Sequence, residues 1–482
     1  MKIVVVGSGV GGLAAACLLG KAGHHVTVLE KNEQLGGRAG QVKASGFTFD
    51  TGPSWYLMPG VFAHFFELLG EDVHDHLDLV RLSPSFRVRF AGDRTLTITG
   101  DHPTDAAMFE SIEPGAGRQF DRFTRDAARL HRKAMRVASQ DMNSVRALRI
   151  DDLAPSSPLL LTPMKRYVER YFADPRLQKI VSYPLVFVGA NPYRAPALYG
   201  LLNHATLNEG VFYPKGGMYE LIRALVAIGK RHGVIYQTDA EVSGIRVAEG
   251  RAAGVQIRAQ EIPADAVISD AGIWHTETAL LAKQFRDHTP RYWRRRTLAP
   301  SALLMHLGVE RTYASLAHHN LVFSNDWRRN FRELESGDSL PSNPSFYVCA
   351  PTKTDPGVAP KDCENLFVLV PVAAGLHYTG KQLSGYAEKI LATMEQELSL
   401  PGLRQHIVYQ KLFCAKDFAI RFHSPSGTGL GLAHTLGQSA FLRPKNASKK
   451  VTNLFYVGAD THPGIGLPPV LLSAEILCRR LS

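Results

Sequence analysis

Ile3-Val-Val-Val6 is an unbroken β-branched run, the pattern of a strand buried on both faces of a parallel sheet. Leu13 to Lys21, rich in alanine and leucine, predicts a helix, and Val26 to Leu29 predicts a second short strand ending at Glu30. Residues 58–69 predict a short helix unusually rich in phenylalanine. Over residues 80–100 apolar and polar positions alternate, as in Phe86-Arg-Val-Arg-Phe90, which predicts sheet with a turn at Gly92-Asp93. Residues 104–200 read as mainly helical, punctuated by Pro155, Pro158, Pro163 and Pro184. A helix is expected from about Met218 to Arg231. Strands are expected at Val234–Gln237, Glu241–Val247, Ala253–Ile257 and Ala266–Ser269, with a hairpin turn at Glu249-Gly250. Residues 285–430 mix both patterns around a Pro-rich stretch, 341–361, that reads as an exposed loop. The chain closes with a strand, Asn453 to Asp460, a Gly/Pro loop through Val470, and a helix from Leu471 to Arg480.

Between the first strand and helix stand Gly7, Gly9 and Gly12 in G-x-G-x-x-G spacing. With a second strand and an acid following, this is the complete βαβ dinucleotide fingerprint. Gly7 permits the tight turn, Gly9 lets backbone approach a pyrophosphate, and Gly12 lets helix and strand pack closely. The helix N-terminus offers N–H groups to phosphate, and Glu30 would accept ribose hydroxyls. The apolar run after Met1-Lys2, with Ala14-Ala15-Ala16, also has the look of a secretory signal peptide. Five glycines in that run and the strand directly after it argue against that reading.

A second cluster, Leu35-Gly36-Gly37-Arg38 and Gly46 to Pro53, brings backbone and a cation within reach of a pyrophosphate or ribityl chain. Read alone, it fits a glycine turn and a surface arginine equally well. Asp460, at a strand end before a helix, supplies a carboxylate beside N–H groups that can hold a phosphate, a hydroxyl or a flavin carbonyl. Nucleotide elements at both chain ends imply a substrate domain inserted into the cofactor domain. The predicted class is α/β, a Rossmann-type FAD-binding domain with an inserted α+β substrate domain. Its cofactor parts fall at 1–75, 206–282 and 431–482, a helical membrane-facing part at 76–205, and a sheet-and-helix part at 283–430.

Length and composition alter this picture little: 482 residues allow two or three domains, and 45% hydrophobic content is ordinary for globular proteins. Cys17, Cys349, Cys363, Cys414 and Cys478 are scattered without a C-x-x-C pair, which fits reduced thiols better than disulfides or zinc. The histidines, in adjacent pairs such as His318-His319, read as dispersed on the surface, and no metal is expected. A net charge of +11 comes with no nucleic-acid motif. The densest basic cluster, Arg291 to Arg296 with Tyr292 and Trp293, fits an anionic membrane surface or a solvated helix face. No second run is long enough to span a bilayer.

Taken in order, these segments resemble the bacterial and fungal type of phytoene desaturase, within the flavin-containing amine-oxidase-like superfamily. The resemblance rests on Gly7-Ser-Gly-Val-Gly-Gly12, Glu30, Gly36-Gly37-Arg38, Asp50-Thr-Gly-Pro53, Tyr213-Pro-Lys-Gly-Gly-Met218, and Val457 to Gly464 with Leu467-Pro468. Residues 54–59 and Pro469 depart from the family pattern. The resemblance implies FAD held by Gly7, Ser8, Gly9, Gly12, Glu30, Gly37 and Arg38. It further implies Val242 at the adenine through its backbone and Asp460 at the ribityl–phosphate region. Leu467, Pro468 and Val470 would lie under the flavin pyrimidine, with Ser54 and Trp55 beside the ring. It implies desaturation of a long isoprenoid in a hydrophobic tunnel, and a cytoplasmic protein held peripherally on a membrane. Quinone or dioxygen would be the electron acceptor, because only one glycine fingerprint has a βαβ context. No catalytic acid or base is identified, and the oligomeric state is open. The alternatives are another carotenoid or apocarotenoid desaturase, isomerase or saturase, an amine oxidase with an aromatic cage from Trp55 and Tyr56, or a prenyl-binding protein without activity.

Overall fold

The computed structural model describes residues 1–90, 92, 94–140, 157–439 and 442–481. Part of the helical stretch expected over 104–200, including Pro155, and Asp93 of the expected turn lie outside the described residues.

The apolar runs read as buried strands assemble one parallel sheet. Its strand order is Leu454–Tyr456, Ala266–Ser269, Lys2–Val6, His25–Leu29, Ile235–Gln237. In Lys2–Val6 the side chains alternate between two cores: Ile3 and Val5 pack with helices Val10–Lys21, Tyr219–Arg231 and Leu467–Leu481, and Val4 and Val6 pack beneath a small antiparallel sheet. Burial on both faces is why this strand shows no polar alternation. The α/β class with a Rossmann-type sheet is therefore what the chain forms, its strands drawn from both ends and the middle of the sequence.

A seven-stranded sheet makes the second layer, in the order 407–413, 301–309, 364–372, 346–349, 319–323, 86–90, 95–98. Only the 319–323 and 86–90 pair runs parallel. In Ser301–Val309 alternation again divides two faces. Leu303, Met305 and Leu307 pack on helix Gly380–Glu397, whereas Ala302 and Leu304 face helices drawn from 102–201. Phe86, Val88 and Phe90 point inward with Arg87 and Arg89 between them, as their alternation predicts.

Three expectations fail here. The stretch 341–361 is not wholly an exposed loop, because Phe346–Cys349 is a fully buried strand inside the large sheet. Prolines on both sides conceal a four-residue apolar run too short for a periodicity argument. The final helix starts at Leu467 rather than Leu471, so Leu467, Pro468 and Val470 form its first turn and not a loop. Proline suits that turn because its missing N–H has no helical partner there. His318 and His319 are not on the surface but 3% and 0% exposed, since both faces of the strand that begins at His319 are covered.

Candidate active site

One cavity of about 1130 Å³ runs from the glycine loop, between the two layers, to the inner face of the large sheet. That exceeds the roughly 300–1,000 Å³ of drug-sized ligand sites. Its first end is made by Gly7, Ser8, Gly9, Glu30, Arg38 and Val242.

Gly7 adopts φ +95° and donates its N–H to the Leu29 carbonyl, closing the turn. Glu30 is 4% exposed. Its Oε2 accepts from the Ser8 backbone N–H at 3.0 Å and the Ser8 hydroxyl at 2.7 Å. Its Oε1 accepts from Asn32 N–H at 2.9 Å and Asn32 Nδ2 at 2.7 Å. A carboxylate offers about four acceptor sites, so a ribose reaches Glu30 by displacing the Ser8 hydroxyl or the Asn32 amide. The glycines are required for space. A Cβ at Gly12 would lie 2.4 Å from the Gly7 carbonyl oxygen, and one at Gly37 3.1 Å from Gly9 Cα.

Asp270 occupies the centre of this cradle, and motif reading missed it. It follows strand Ala266–Ser269 at the carboxyl end of the parallel sheet, where the switch-point rule places ligands. Its Oδ2 would sit 2.4 Å from a Cβ on Gly9, and its Oδ1 2.5 Å from one on Gly458. Burial pushes its carboxyl up to about 8, opposed by the Gly12 backbone N–H and by Arg38. The carboxyl therefore gains charge as pH rises through about 8, beside the place a pyrophosphate would take. Flavin binding should weaken as pH rises through about 8. Asp270→Asn should remove that pH dependence, as read from flavin remaining after gel filtration.

Arg38 is not a surface arginine. Its Nη2 donates to Ser424 Oγ at 2.7 Å, and its guanidinium lies 5.8 Å from the Phe422 ring. Asp460 Oδ1 accepts from Leu432 N–H at 2.9 Å, tying the strand end to the Gly427–Gly431 loop. Arg443, another residue that motif reading missed, is 2% exposed and donates to the carbonyls of Leu432, Gln438, Ala459 and Thr461. The expected row of free N–H groups after Asp460 is reduced. Pro468 and Pro469 carry none, and Val470 N–H is bonded to Gly466 O, so Leu467 N–H is the one donor of that helical turn without a backbone acceptor among the described residues.

The far end of the cavity is apolar, lined by Leu57, Val186, Ala302, Leu304, Phe323 and Trp327 among others. Trp55 stacks on His319 with centroids 4.2 Å apart and planes 6° from parallel. The Tyr347 hydroxyl lies 2.7 Å from His319 Nδ1 and donates to Ser54 Oγ at 2.9 Å. Ser54, Trp55 and Tyr347 thus form one connected piece of wall. Tyr56 does not join Trp55 in a cage, because it is fully buried against Phe62, 4.1 Å between centroids. His318, His319 and Cys349 have ligand atoms within 4.8 Å of one another, and burial pushes the Cys349 thiol up to about 12. Among the lining residues, the exposed Arg194 pairs with Glu335 at 3.3 Å, and Leu436 is 46% exposed. In the 291–296 cluster Arg291, Arg294 and Arg295 are exposed. Trp293 instead packs on a core, and Arg296 lies over Tyr292 at 4.3 Å. The cluster presents cations without the exposed aromatic that membrane anchoring would use. No described helix is long and apolar enough to cross a membrane.

Residues 10–482 match the family of flavin containing amine oxidoreductases, and the chain belongs to that family. It is 43% identical over 477 residues to a carotenoid 3,4-desaturase of Haloarcula japonica, spanning 98% of this chain and 96% of that one. It is 34% identical over 495 residues to a zeta-carotene-forming phytoene desaturase of Myxococcus xanthus, spanning 100% and 93%. Among solved structures, an oxidoreductase from Methanosarcina mazei shares the fold, with TM-score 0.65 and 18% identity over 99% of this chain and 100% of that one. The protein is an FAD-dependent oxidoreductase. The cradle fits that cofactor: glycines keep backbone open to it, and Arg38 Nε is buried in the cavity wall without a partner among the described residues.

Proposed function

We propose that this protein desaturates a long carotenoid, removing a hydride and a proton from a CH–CH unit held in the apolar end of the cavity. The observation that carries the reading is the continuity of one cavity from a dinucleotide cradle to a wall of aliphatic and aromatic side chains. When bound, the flavin supplies the hydride acceptor. Gly7, Ser8, Gly9, Gly12, Glu30, Gly37, Arg38 and Val242 would hold the nucleotide, Asp460 the ribityl–phosphate region, and Leu467, Pro468 and Val470 would lie under the pyrimidine end of the ring. Ser54 and Trp55, both in the cavity wall, would stand beside the ring. Among the described residues Leu57, Val186, Ala302, Leu304, Phe323 and Trp327 line that inner wall with apolar side chains, which suits a hydrocarbon and not an amine. A hydrocarbon of this kind resides in bilayers, so the exposed lining at Arg194 and Leu436 meets a lipid surface, and quinone or dioxygen takes the electrons.

For the substrate, a phytoene-type precursor is the first reading. A second is desaturation at the 3,4 position of a preformed carotenoid, favoured by 43% identity to the 3,4-desaturase against 34% to the phytoene desaturase. Expression in a host accumulating phytoene, and in one accumulating an acyclic conjugated carotene, separates them. Extracted pigment should absorb at longer wavelength and weigh two hydrogens less per new double bond in one host. Unchanged pigment in both would refute the proposal.

A further inference from the structure

We infer that Ser54 and Asp50 form the outlet for the proton released in desaturation, through one water held in a second, polar cavity. This rests on the functional reading above, which leaves the proton without an acceptor.

Ser54 lines the main cavity and also a separate one of about 20 Å³. Space of that size holds about one water, provided polar partners surround it. Asp50, Gln41, Asn365 and Ser54 provide them. Asn365 is 1% exposed, and its Oδ1 faces this region with no partner among the described residues, although its Nδ2 is engaged by the Thr48 and Val358 carbonyls. A buried carbonyl oxygen left without a donor is costly, and a water satisfies it. Tyr347 already donates to Ser54 Oγ, so the Ser54 hydrogen is free to point toward the second cavity. With His319 Nδ1 carrying hydrogen, donors and acceptors read in one direction from His319 through Tyr347 to Ser54.

The step balances as follows. One C–H bond gives its electron pair with hydrogen to the flavin. The neighbouring C–H bond breaks, and its electrons become the second bond of the new C=C. That proton goes to Ser54 Oγ while the hydroxyl proton of Ser54 passes to the water, and a water proton passes to the Asp50 carboxylate. Asp50 is held by Met218 N–H at 2.7 Å and Tyr219 N–H at 3.2 Å, at the start of helix Tyr219–Arg231. Glu220 and Arg223 face it from that helix, Tyr213 and Cys349 from neighbouring strands, and His306 of the large sheet lies against the Asp50 backbone, while Asp355 holds Gly216 N–H close by. Burial pushes the Asp50 carboxyl up to about 7, against the two N–H donors, so near neutral pH it can take a proton and release it each turnover.

The test uses FAD-loaded protein, carotenoid-bearing vesicles and infrared difference spectra. In the wild type a protonated-carboxyl band should titrate near pH 7 and be missing in Asp50→Asn. Anaerobic flavin bleaching by carotenoid should rise with pH through the same midpoint. Asp50→Asn and Ser54→Ala should bleach roughly 100-fold more slowly with a flat profile, and Ser54→Thr should restore rate and profile. Absence of the titrating band in the wild type overturns the outlet and leaves the functional reading standing. Wild-type rates and pH dependence in both Asp50→Asn and Ser54→Ala overturn it as well. Failure of every carotenoid to bleach the wild type removes the functional reading and the outlet with it.

Discussion

Gly9→Val should give a folded protein that purifies colourless. A Cβ there would stand 2.4 Å from Asp270 Oδ2, so Asp270 must swing aside and the valine methyls then enter the cradle itself. Gly9 has φ −62° and ψ 172°, ordinary extended backbone, so the substitution strains no dihedral and the sheet beneath keeps its packing. The loss is expected in the cofactor: FAD binding weaker by about 100-fold or more, equivalent to roughly 2.7 kcal/mol. Flavin released on heat denaturation measures it, and circular dichroism checks the fold. Gly12→Val makes a useful contrast. Its Cβ would meet the Gly7 carbonyl at 2.4 Å, where only backbone can yield, so that variant should lose stability as well as flavin.

Ala302→Trp should do the opposite, keeping the flavin and losing turnover. Ala302 is 6% exposed on the cavity face of strand Ser301–Val309 and lies opposite Pro371 of the neighbouring strand. An added indole enters open space, so the overpacking cost of about 1–3 kcal/mol seen in filled cores is largely avoided. The apolar arm is obstructed instead. Carotenoid conversion should fall by about 100-fold or more, equivalent to roughly 2.7 kcal/mol, at unchanged flavin content. Undiminished conversion would place the substrate outside this arm.

How much of this was legible beforehand follows from how local each feature is. Gly7 to Glu30 is a contiguous unit, and its turn, helix and acid each leave a mark at fixed spacing; the structure assembles them as read. Phe86 to Phe90 was legible because one face of its strand is covered by the core while Arg87 and Arg89 stay half-buried. Asp270 was not, since a single acid after Ala266–Ser269 becomes part of the cradle only when that strand pairs with Lys2–Val6, over 260 positions away. Phe346–Cys349 and the His318-His319 pair were misread for a related reason: a strand covered on both faces shows no alternation, and burial of polar residues is set by neighbours distant in sequence. Pro468 and Pro469 mark a loop by composition, yet they form the first turn of a helix, with the consequence that fewer N–H groups face the cavity.

Anaerobic mixing of FAD-loaded protein with carotenoid-bearing vesicles tests the central claim most directly. The account predicts that flavin absorbance is lost in a single turnover, and that the polyene is recovered two hydrogens lighter per flavin reduced. Flavin that stays oxidised with every carotenoid offered, yet bleaches on addition of a primary amine, would contradict it.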